Sequence, residues 1–251
     1  MACTSAYAGS SLPRVSDLLM ARYLIVNADD FGASVGCNRG IIECHSRGIL
    51  TSASLMVTGR AAADAVELAR AHPQLSLGLH FDVWGEDERE FDLANHGAVR
   101  EEFSRQLAEF QRLVGSNPTH VDSHRHAHTR LGMMPLFQEL TAPLGIPLRN
   151  DGRVRFVGGF YAQWEWLVTE LDYVRVPFLL RLLREEVHEG WTEIACHPGY
   201  RSHDFRSVYL VEREEEVRTL TDPRVAEFIR ESGIRLCNYA DYAALGRVCR
   251  E

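Results

Sequence analysis

The chain has 251 residues, of which 45% are hydrophobic, and its formal net charge at pH 7 is −8. This length and composition favour one domain with a full buried core, which we expect to span residues 21–251. The acidic balance argues against nucleic acid or an anionic membrane as a partner, and no window approaches the roughly 20 apolar residues of a membrane span.

Two features of the sequence bear on where the protein resides. Residues 1–20 are polar and lack the apolar stretch of a secretory signal, so we predict that they form a disordered lead. The mature domain could begin at Met20, in which case the lead is dispensable. The six cysteines form neither a CxxC pair nor the regular spacing of a disulfide scaffold. We therefore expect a cytoplasmic protein with reduced thiols.

Seven apolar runs rich in β-branched residues predict strands at residues 23–28, 52–57, 75–79, 119–123, 146–149, 192–196 and 234–238. Helical patterns between them lie at residues 40–47, 61–71, 100–114 and 134–144, and each ends near a glycine or proline. Strands that alternate with helices form a parallel sheet. The pattern predicts an α/β fold with a closed or nearly closed barrel, and a doubly wound open sheet is the alternative.

Two longer stretches, residues 82–99 and 152–177, interrupt this alternation. The first contains Trp84, and the second is rich in aromatic residues. Loops at the carboxyl ends of barrel strands commonly shape the substrate pocket, where exposed aromatic rings could stack on sugar faces. The same rings could equally cap the barrel core or form a dimer contact.

Four short polar clusters directly follow strand-like runs: NADD at residues 27–30, GLH at 78–80, DSHRHAH at 122–128 and CHPG at 196–199. Because the carboxyl ends of parallel barrel strands meet at one end of the barrel, we expect these clusters to converge. Carboxylates and imidazoles are ligands of hard or borderline divalent cations. The sequence therefore predicts one metal-assisted active site.

Alternate residues of the third cluster are all aspartate or histidine. In an extended strand, residues two apart share a face, so Asp122, His124, His126 and His128 are predicted to converge. The same alternation directs Arg125 away from a metal. A helix would instead pair His124 with His128, but the apolar residues upstream favour a strand.

Asp29 and Asp30 end the first strand, a place where an acidic pair can also be a helix cap and a turn residue. We expect one carboxylate to bind the cation and the other, just outside its coordination sphere, to take a proton from water. His80 closes the third strand and is a weak signal by itself. His197 precedes a Pro-Gly turn, where it could act as the general acid.

Taken together, LIVNADDFG at residues 24–32, GLHF at 78–81, THVDSHRHAH at 119–128 and CHPGY at 196–200 resemble the motifs of the YdjC-like carbohydrate deacetylases, the family of chitooligosaccharide deacetylase. The motifs occur in the family's order and the resemblance runs from Arg22 to the C-terminus. Arg125 departs from the family's histidine pattern, and we expect this departure to affect packing or substrate contacts.

The resemblance implies a distorted (β/α) barrel that removes an N-acetyl group from a small acetylated sugar with one divalent cation, Mg²⁺ or Zn²⁺. Carried over residue by residue, Asp30, His80 and His124 would be the metal ligands, Asp29 the general base and His197 a candidate acid. The resemblance also allows for a homodimer.

Three further residues are candidate substrate contacts: Arg149, His126 and Trp84. Arg149 could contact sugar hydroxyls or orient Asp29.

Other functions remain open from the residues alone. A glycoside hydrolase would use two carboxylates without a metal. A sugar-binding barrel without activity would need neither the carboxylate pair nor the metal. Neither alternative explains the histidine clusters. Metal-dependent phosphoester cleavage is a further rival, although the chain shows no glycine-rich phosphate loop followed by lysine.

Overall fold

The computed structural model describes residues 20–85, 89–130 and 132–248, so the predicted lead lies outside the described residues except for Met20. The strands of this part of the chain form one parallel sheet in the order β4-β3-β2-β1-β6-β5, and β7 pairs with β1. They are β1 (Arg22–Phe31), β2 (Ser52–Leu55), β3 (Ser76–Phe81), β4 (Val121–Ser123), β5 (Arg155–Val157), β6 (Gly190–Cys196) and β7 (Ile234–Cys237).

Helices follow most of the strands and cover the outside of the sheet. They are α1 (Val35–Arg47), α2 (Ala62–Arg70), α3 (His96–Val114), α4 (Met133–Thr141), α5 (Val176–Glu186), α6 (Val211–Leu220), α7 (Pro223–Glu231) and α8 (Tyr239–Val248). Within the described residues, none of them is both long and apolar enough to cross a membrane. This alternation curls the sheet into an incompletely closed barrel, which confirms the predicted distorted (β/α) barrel.

Strand β1 is the centre of the sheet because it pairs with β2, β6 and β7. Its residues Leu24, Val26 and Ala28 lie in the main hydrophobic core and are almost fully buried. Burial on both faces explains why this strand reads as a continuous apolar run instead of an alternating one. The core therefore fixes the position of the two aspartates at the carboxyl end of β1.

The predicted strand at residues 146–149 is wrong, because Leu148 forms only an isolated bridge to Val121. The next strand is β5, which sequence patterns missed because it is three residues long and begins with the exposed Arg155. Two helices begin earlier than predicted, at side-chain caps. Ser34 accepts the N–H of Cys37 before α1, and Asn95 accepts a backbone N–H before α3.

Candidate active site

The four polar clusters meet at the carboxyl end of the sheet, where they border a cavity of about 1110 Å³. Asp29 and Asp30 from β1, His80 from β3 and His197 after β6 all line this cavity. This convergence follows from the parallel sheet, since every strand ends on the same side.

Both aspartates face the cavity although they are neighbours in one strand. Consecutive residues of a regular strand point to opposite faces. Here Asp30 has a φ of 64°, in the left-handed region, and the register between β1 and β2 shifts between Ala28 and Phe31. Aspartate tolerates this conformation better than most residues. The irregularity brings two carboxylates to one side of the sheet.

Asp30, His80 and His124 form a buried cluster in which the candidate ligand atoms lie within 4.8 Å of one another. Oδ1 of Asp30 lies 3.4 Å from Nε2 of His80 and 3.3 Å from Nδ1 of His124. Asp30 is 2% exposed. The spacing and the donor types match what a divalent cation needs.

The surroundings of His80 provide an independent test of this fit. Its Nδ1 donates to Oδ1 of Asp122 at 2.7 Å, which fixes the tautomer and leaves Nε2 as an acceptor. Among the described residues, this buried Nε2 has no hydrogen-bond partner. Burial would lower the pKa of His80, but the carboxylates of Asp122, Asp30 and Asp29 raise it well above its usual value, so the space between Nε2 and Asp30 attracts positive charge, either a proton or a cation. The residues present therefore fit a divalent cation.

Asp29 is held by Arg149 through both carboxylate oxygens, at 2.8 and 2.7 Å. Burial is the largest influence on the pKa of Asp29 and by itself would raise it, but the charge and hydrogen bonds of Arg149, together with the charge of His80, outweigh burial, and the pKa lies below its usual value. Asp29 is therefore ionised at neutral pH and can accept a proton. Arg149 is 2% exposed and is not among the residues that line the cavity, so the structure places it against Asp29.

His197 lies beside Asp29, with its Nε2 3.8 Å from Oδ2 of that residue. Burial disfavours the imidazolium form and lowers the pKa of His197 to about 4. The imidazole is therefore neutral at pH 7. To act as an acid, His197 must first acquire a proton within the site.

The cluster at residues 122–128 does not continue as a strand. Strand β4 ends at Ser123, and a 3₁₀ turn follows over His124–Thr129, with Arg125 and His126 in left-handed conformations. The predicted convergence of four alternating side chains is wrong for this reason. Arg125 is not part of the candidate ligand cluster. Arg125 lines the cavity instead.

The members of that cluster separate into different environments. Asp122 lies beneath His80, whereas His124 belongs to the ligand cluster. His126 is exposed at the cavity edge, where its ring meets Phe156 edge to face at 5.7 Å. His128 is buried and its Nδ1 lies 2.6 Å from the hydroxyl of Ser123, so it supports the turn from inside.

Trp84 borders a neighbouring cavity of about 490 Å³ rather than the main one. The guanidinium of Arg130 lies over its ring, 5.5 Å from the centroid. Arg125 and Arg130 line both cavities, so Trp84 adjoins the main cavity without lining it.

Arg213 is a site residue that the sequence motifs did not reveal. It projects from α6 and donates to Oδ2 of Asp30 at 2.6 Å. The sequence of α6 shows only a helix with few apolar positions and many acidic residues. No motif marks Arg213, and its burial becomes visible only once α6 is packed against the strand ends.

Aromatic side chains form one wall of the cavity and continue outward from His197. Tyr161 lies 5.7 Å from the His197 ring, stacks on Tyr209 at 4.8 Å and meets Trp164 at 5.8 Å. Trp164 and Trp166 also line the cavity and are 56% and 70% exposed. The aromatic wall thus extends from His197 to solvent.

Residues 23–231 match the family model described as YdjC-like protein. A carbohydrate deacetylase from Geobacillus stearothermophilus is 32% identical, over 90% of this chain and the whole of that protein. A chitooligosaccharide deacetylase from Escherichia fergusonii is 34% identical, over 88% of this chain and all of its own.

A solved structure has a similar fold. It comes from Enterococcus faecalis and carries the provisional name cellobiose-phosphate cleavage protein. The two chains are 27% identical, the match covers 88% of this chain and 98% of the other, and the TM-score is 0.78.

Proposed function

This chain belongs to the YdjC-like protein family, and from that premise we propose a metal-dependent hydrolase that removes an N-acetyl group from an acetylated amino sugar or oligosaccharide and releases acetate. The relatives named carbohydrate deacetylase and chitooligosaccharide deacetylase support deacetylation of a sugar. One observation carries the metal dependence: Asp30, His80 and His124 form a compact cluster beside a second, ionised aspartate.

In this proposal, Asp30, His80 and His124 hold one divalent cation. Two imidazoles and one carboxylate match Zn²⁺ best, and Mg²⁺, which prefers oxygen ligands, is the alternative. Bound there, the cation would activate water and polarise the amide carbonyl. Asp122 supports the site by orienting His80 through the bond to its Nδ1.

Asp29 takes the proton from the attacking water, because it is ionised, lines the cavity and lies next to the ligand cluster. Arg149 holds the carboxylate in place through both oxygens. His197 is neutral at rest, so it must gain a proton before it can protonate the departing amine. The proton that Asp29 takes up would reach it once the two side chains, now 3.8 Å apart, close to hydrogen-bond distance. The proton removed from the attacking water is then the one that reaches the departing amine.

The sugar lies along the aromatic wall in this proposal. Tyr161, Trp164 and Trp166 present faces on which apolar sugar faces stack, and the cavity exceeds the roughly 300–1,000 Å³ of sites for drug-sized ligands. His126 at the edge and Trp84 in the neighbouring cavity are additional candidate contacts for the more distant part of an oligosaccharide.

The deciding experiment measures acetate release from diacetylchitobiose and a panel of N-acetylated sugars. Protein stripped of metal is assayed alone and after addition of Zn²⁺, Mg²⁺, Mn²⁺ or Co²⁺. We expect acetate only when metal is restored. A shortened glycan would indicate a glycoside hydrolase, and metal binding without any product would indicate a non-catalytic sugar-binding barrel.

A further inference from the structure

Helix α6 contains three ionisable side chains that are almost completely buried. Glu212 and Glu216 are 0% exposed, and Arg213 is 3% exposed. Burying a charge costs several kcal/mol unless partners compensate. The partners of Arg213 and Glu216 therefore show what these charges support, and for both residues they include His197.

The two side chains bind the two backbone polar groups of His197. The carboxylate of Glu216 accepts the backbone N–H of His197 and, at 2.7 Å, the hydroxyl of Tyr209. Arg213 donates to the backbone carbonyl of His197 at 3.2 Å. Strand β6 ends one residue earlier, at Cys196. Helix α6, rather than the sheet, therefore holds the backbone of His197.

Arg213 also links His197 to the candidate metal cluster. Its guanidinium spans from the carbonyl of His197 to Oδ2 of Asp30, which it reaches at 2.6 Å. The other oxygen, Oδ1, faces the imidazoles of His80 and His124. A guanidinium presents its donors in a rigid fork, so one side chain fixes the separation of two groups.

We propose that Arg213 and Glu216 are positioning residues that set His197 relative to the metal site, and that Arg213 restricts Asp30 to ligation through Oδ1. The inference rests on the proposed function for its metal site. It assigns two roles to α6: Glu216 controls only where His197 lies, whereas Arg213 controls both His197 and the ligation of Asp30.

The test compares Arg213→Gln, Glu216→Ala, Glu216→Gln and the control Glu212→Gln in protein loaded with Co²⁺. Glu212 is a matched control, since it is equally buried on the same helix but bonds Gln163 and Thr169. Visible absorption of Co²⁺ reports coordination number without requiring turnover, and kcat and KM for acetate release report the position of His197.

We expect Glu216→Ala to lower kcat by about 100-fold with KM and the Co²⁺ spectrum unchanged, because a displacement of about 1 Å has this effect on catalysis. Glu216→Gln keeps an acceptor for the His197 N–H and should recover most of kcat. Arg213→Gln should lower kcat similarly and also weaken the Co²⁺ absorption, because Asp30 can then ligate through both oxygens. Glu212→Gln should change neither measurement.

Wild-type kcat in Glu216→Ala or Arg213→Gln would overturn the positioning role, and an unchanged spectrum in Arg213→Gln would overturn the restriction of Asp30. If Arg213→Gln does not fold, Arg213→Lys decides, because lysine cannot bridge both partners and should still lose about tenfold in kcat. Failure of the proposed function can be distinguished from failure of this inference. Wild-type protein would then bind no Co²⁺, or would bind Co²⁺ and release no acetate. In the second case, the Co²⁺ spectra still test the effect of Arg213 on Asp30.

Discussion

The floor and the mouth of the cavity are built from opposite kinds of side chain. The floor is a buried polar network in which His120 bonds Ser54 at 3.0 Å, Ser54 donates to Asp122 at 2.6 Å, and Tyr239 donates to Glu193 at 2.7 Å. The mouth is the aromatic wall that ends in the exposed Trp164 and Trp166.

The contrast indicates that the two regions control different quantities. In the floor, the buried carboxylates and Arg149 bond one another, so a change there leaves a buried charge or donor unmatched. In the mouth, rings touch solvent and one another, so a change there removes only contact area for a ligand. We expect floor variants to alter rate and stability, and mouth variants to alter substrate affinity.

The largest effect is expected from Asp29→Asn, which removes the proposed base at the top of the floor. Loss of general-base catalysis should lower kcat by roughly 10²–10⁴-fold while the metal stays bound. Asp222→Asn, at the N-cap of α7 and outside the cavity lining, is the control. Metal content and acetate release are measured together, and full activity with metal bound would refute the assignment of the base.

The next largest effect is expected on stability, from Arg149→Gln. Arg149 bonds Asp29, Asp122 and Glu193, each at 2.7 Å, so its loss leaves three buried carboxylates without their cation. The free energy of unfolding should fall by about 3–5 kcal/mol in urea titration.

The matched control for this measurement is Arg155→Gln, which breaks an exposed pair with Glu186. Such surface pairs contribute less than about 1 kcal/mol. Equal losses in the two variants would show that the floor is no more important for stability than a surface ion pair.

His120 should make the floor sensitive to acid. Burial lowers its pKa from 6.5 to about 3, so the folded state keeps it neutral while the unfolded chain takes up a proton. The stability from this neutral histidine is complete above pH 6.5 and declines as pH falls toward 3. Between pH 7 and pH 5 the loss should be about 2 kcal/mol.

The measurement is urea unfolding of wild type and His120→Gln at both pH values. The variant cannot take up this proton, so its stability should fall less between pH 7 and pH 5 than that of wild type. Equal falls in the two proteins would show that His120 is not the source of the acid sensitivity.

The smallest effect is expected at the mouth. Trp164→Ala should raise KM for an acetylated disaccharide about threefold to tenfold, with kcat unchanged, because an aromatic contact contributes about 0.5–1.5 kcal/mol beyond burial. Trp164→Phe should keep most of the affinity. Val168 is exposed in the same loop but does not line the cavity, so the control variant Val168→Ala should behave as wild type. A loss of kcat in Trp164→Ala would place the mouth in the catalytic machinery.

The part of the candidate site at the strand ends could be predicted from the sequence, because a polar residue directly after an apolar run marks the end of a strand. Asp29, Asp30 and His80 each follow an apolar run, and parallel strands bring such ends together. The alternation rule failed after Ser123, since left-handed conformations at Arg125 and His126 turn the chain out of the sheet. Sequence periodicity gives no warning of that turn.

The supports of the site could not be predicted, because they depend on long-range packing. Glu216 lies 19 residues beyond His197, and Arg213 lies 183 residues beyond Asp30. Nothing local distinguishes these charges from the exposed acids and arginines of the same helix. Their burial depends on how α6 packs against the ends of β1 and β6. One amino-acid sequence does not show this packing.

For the proposed metal site, the left-handed backbone at Asp30 limits which ligand residues evolution or a designer can place at that position. Histidine, glutamate and cysteine can all bind cations, but side chains other than aspartate and asparagine lose roughly 1–2 kcal/mol in this conformation, which Asp30 adopts with a φ of 64°. A short oxygen ligand is therefore favoured before any metal arrives. The chain geometry itself biases the site toward cations that accept a carboxylate, and exchanging ligands to recruit a softer metal would require rebuilding the strand end as well.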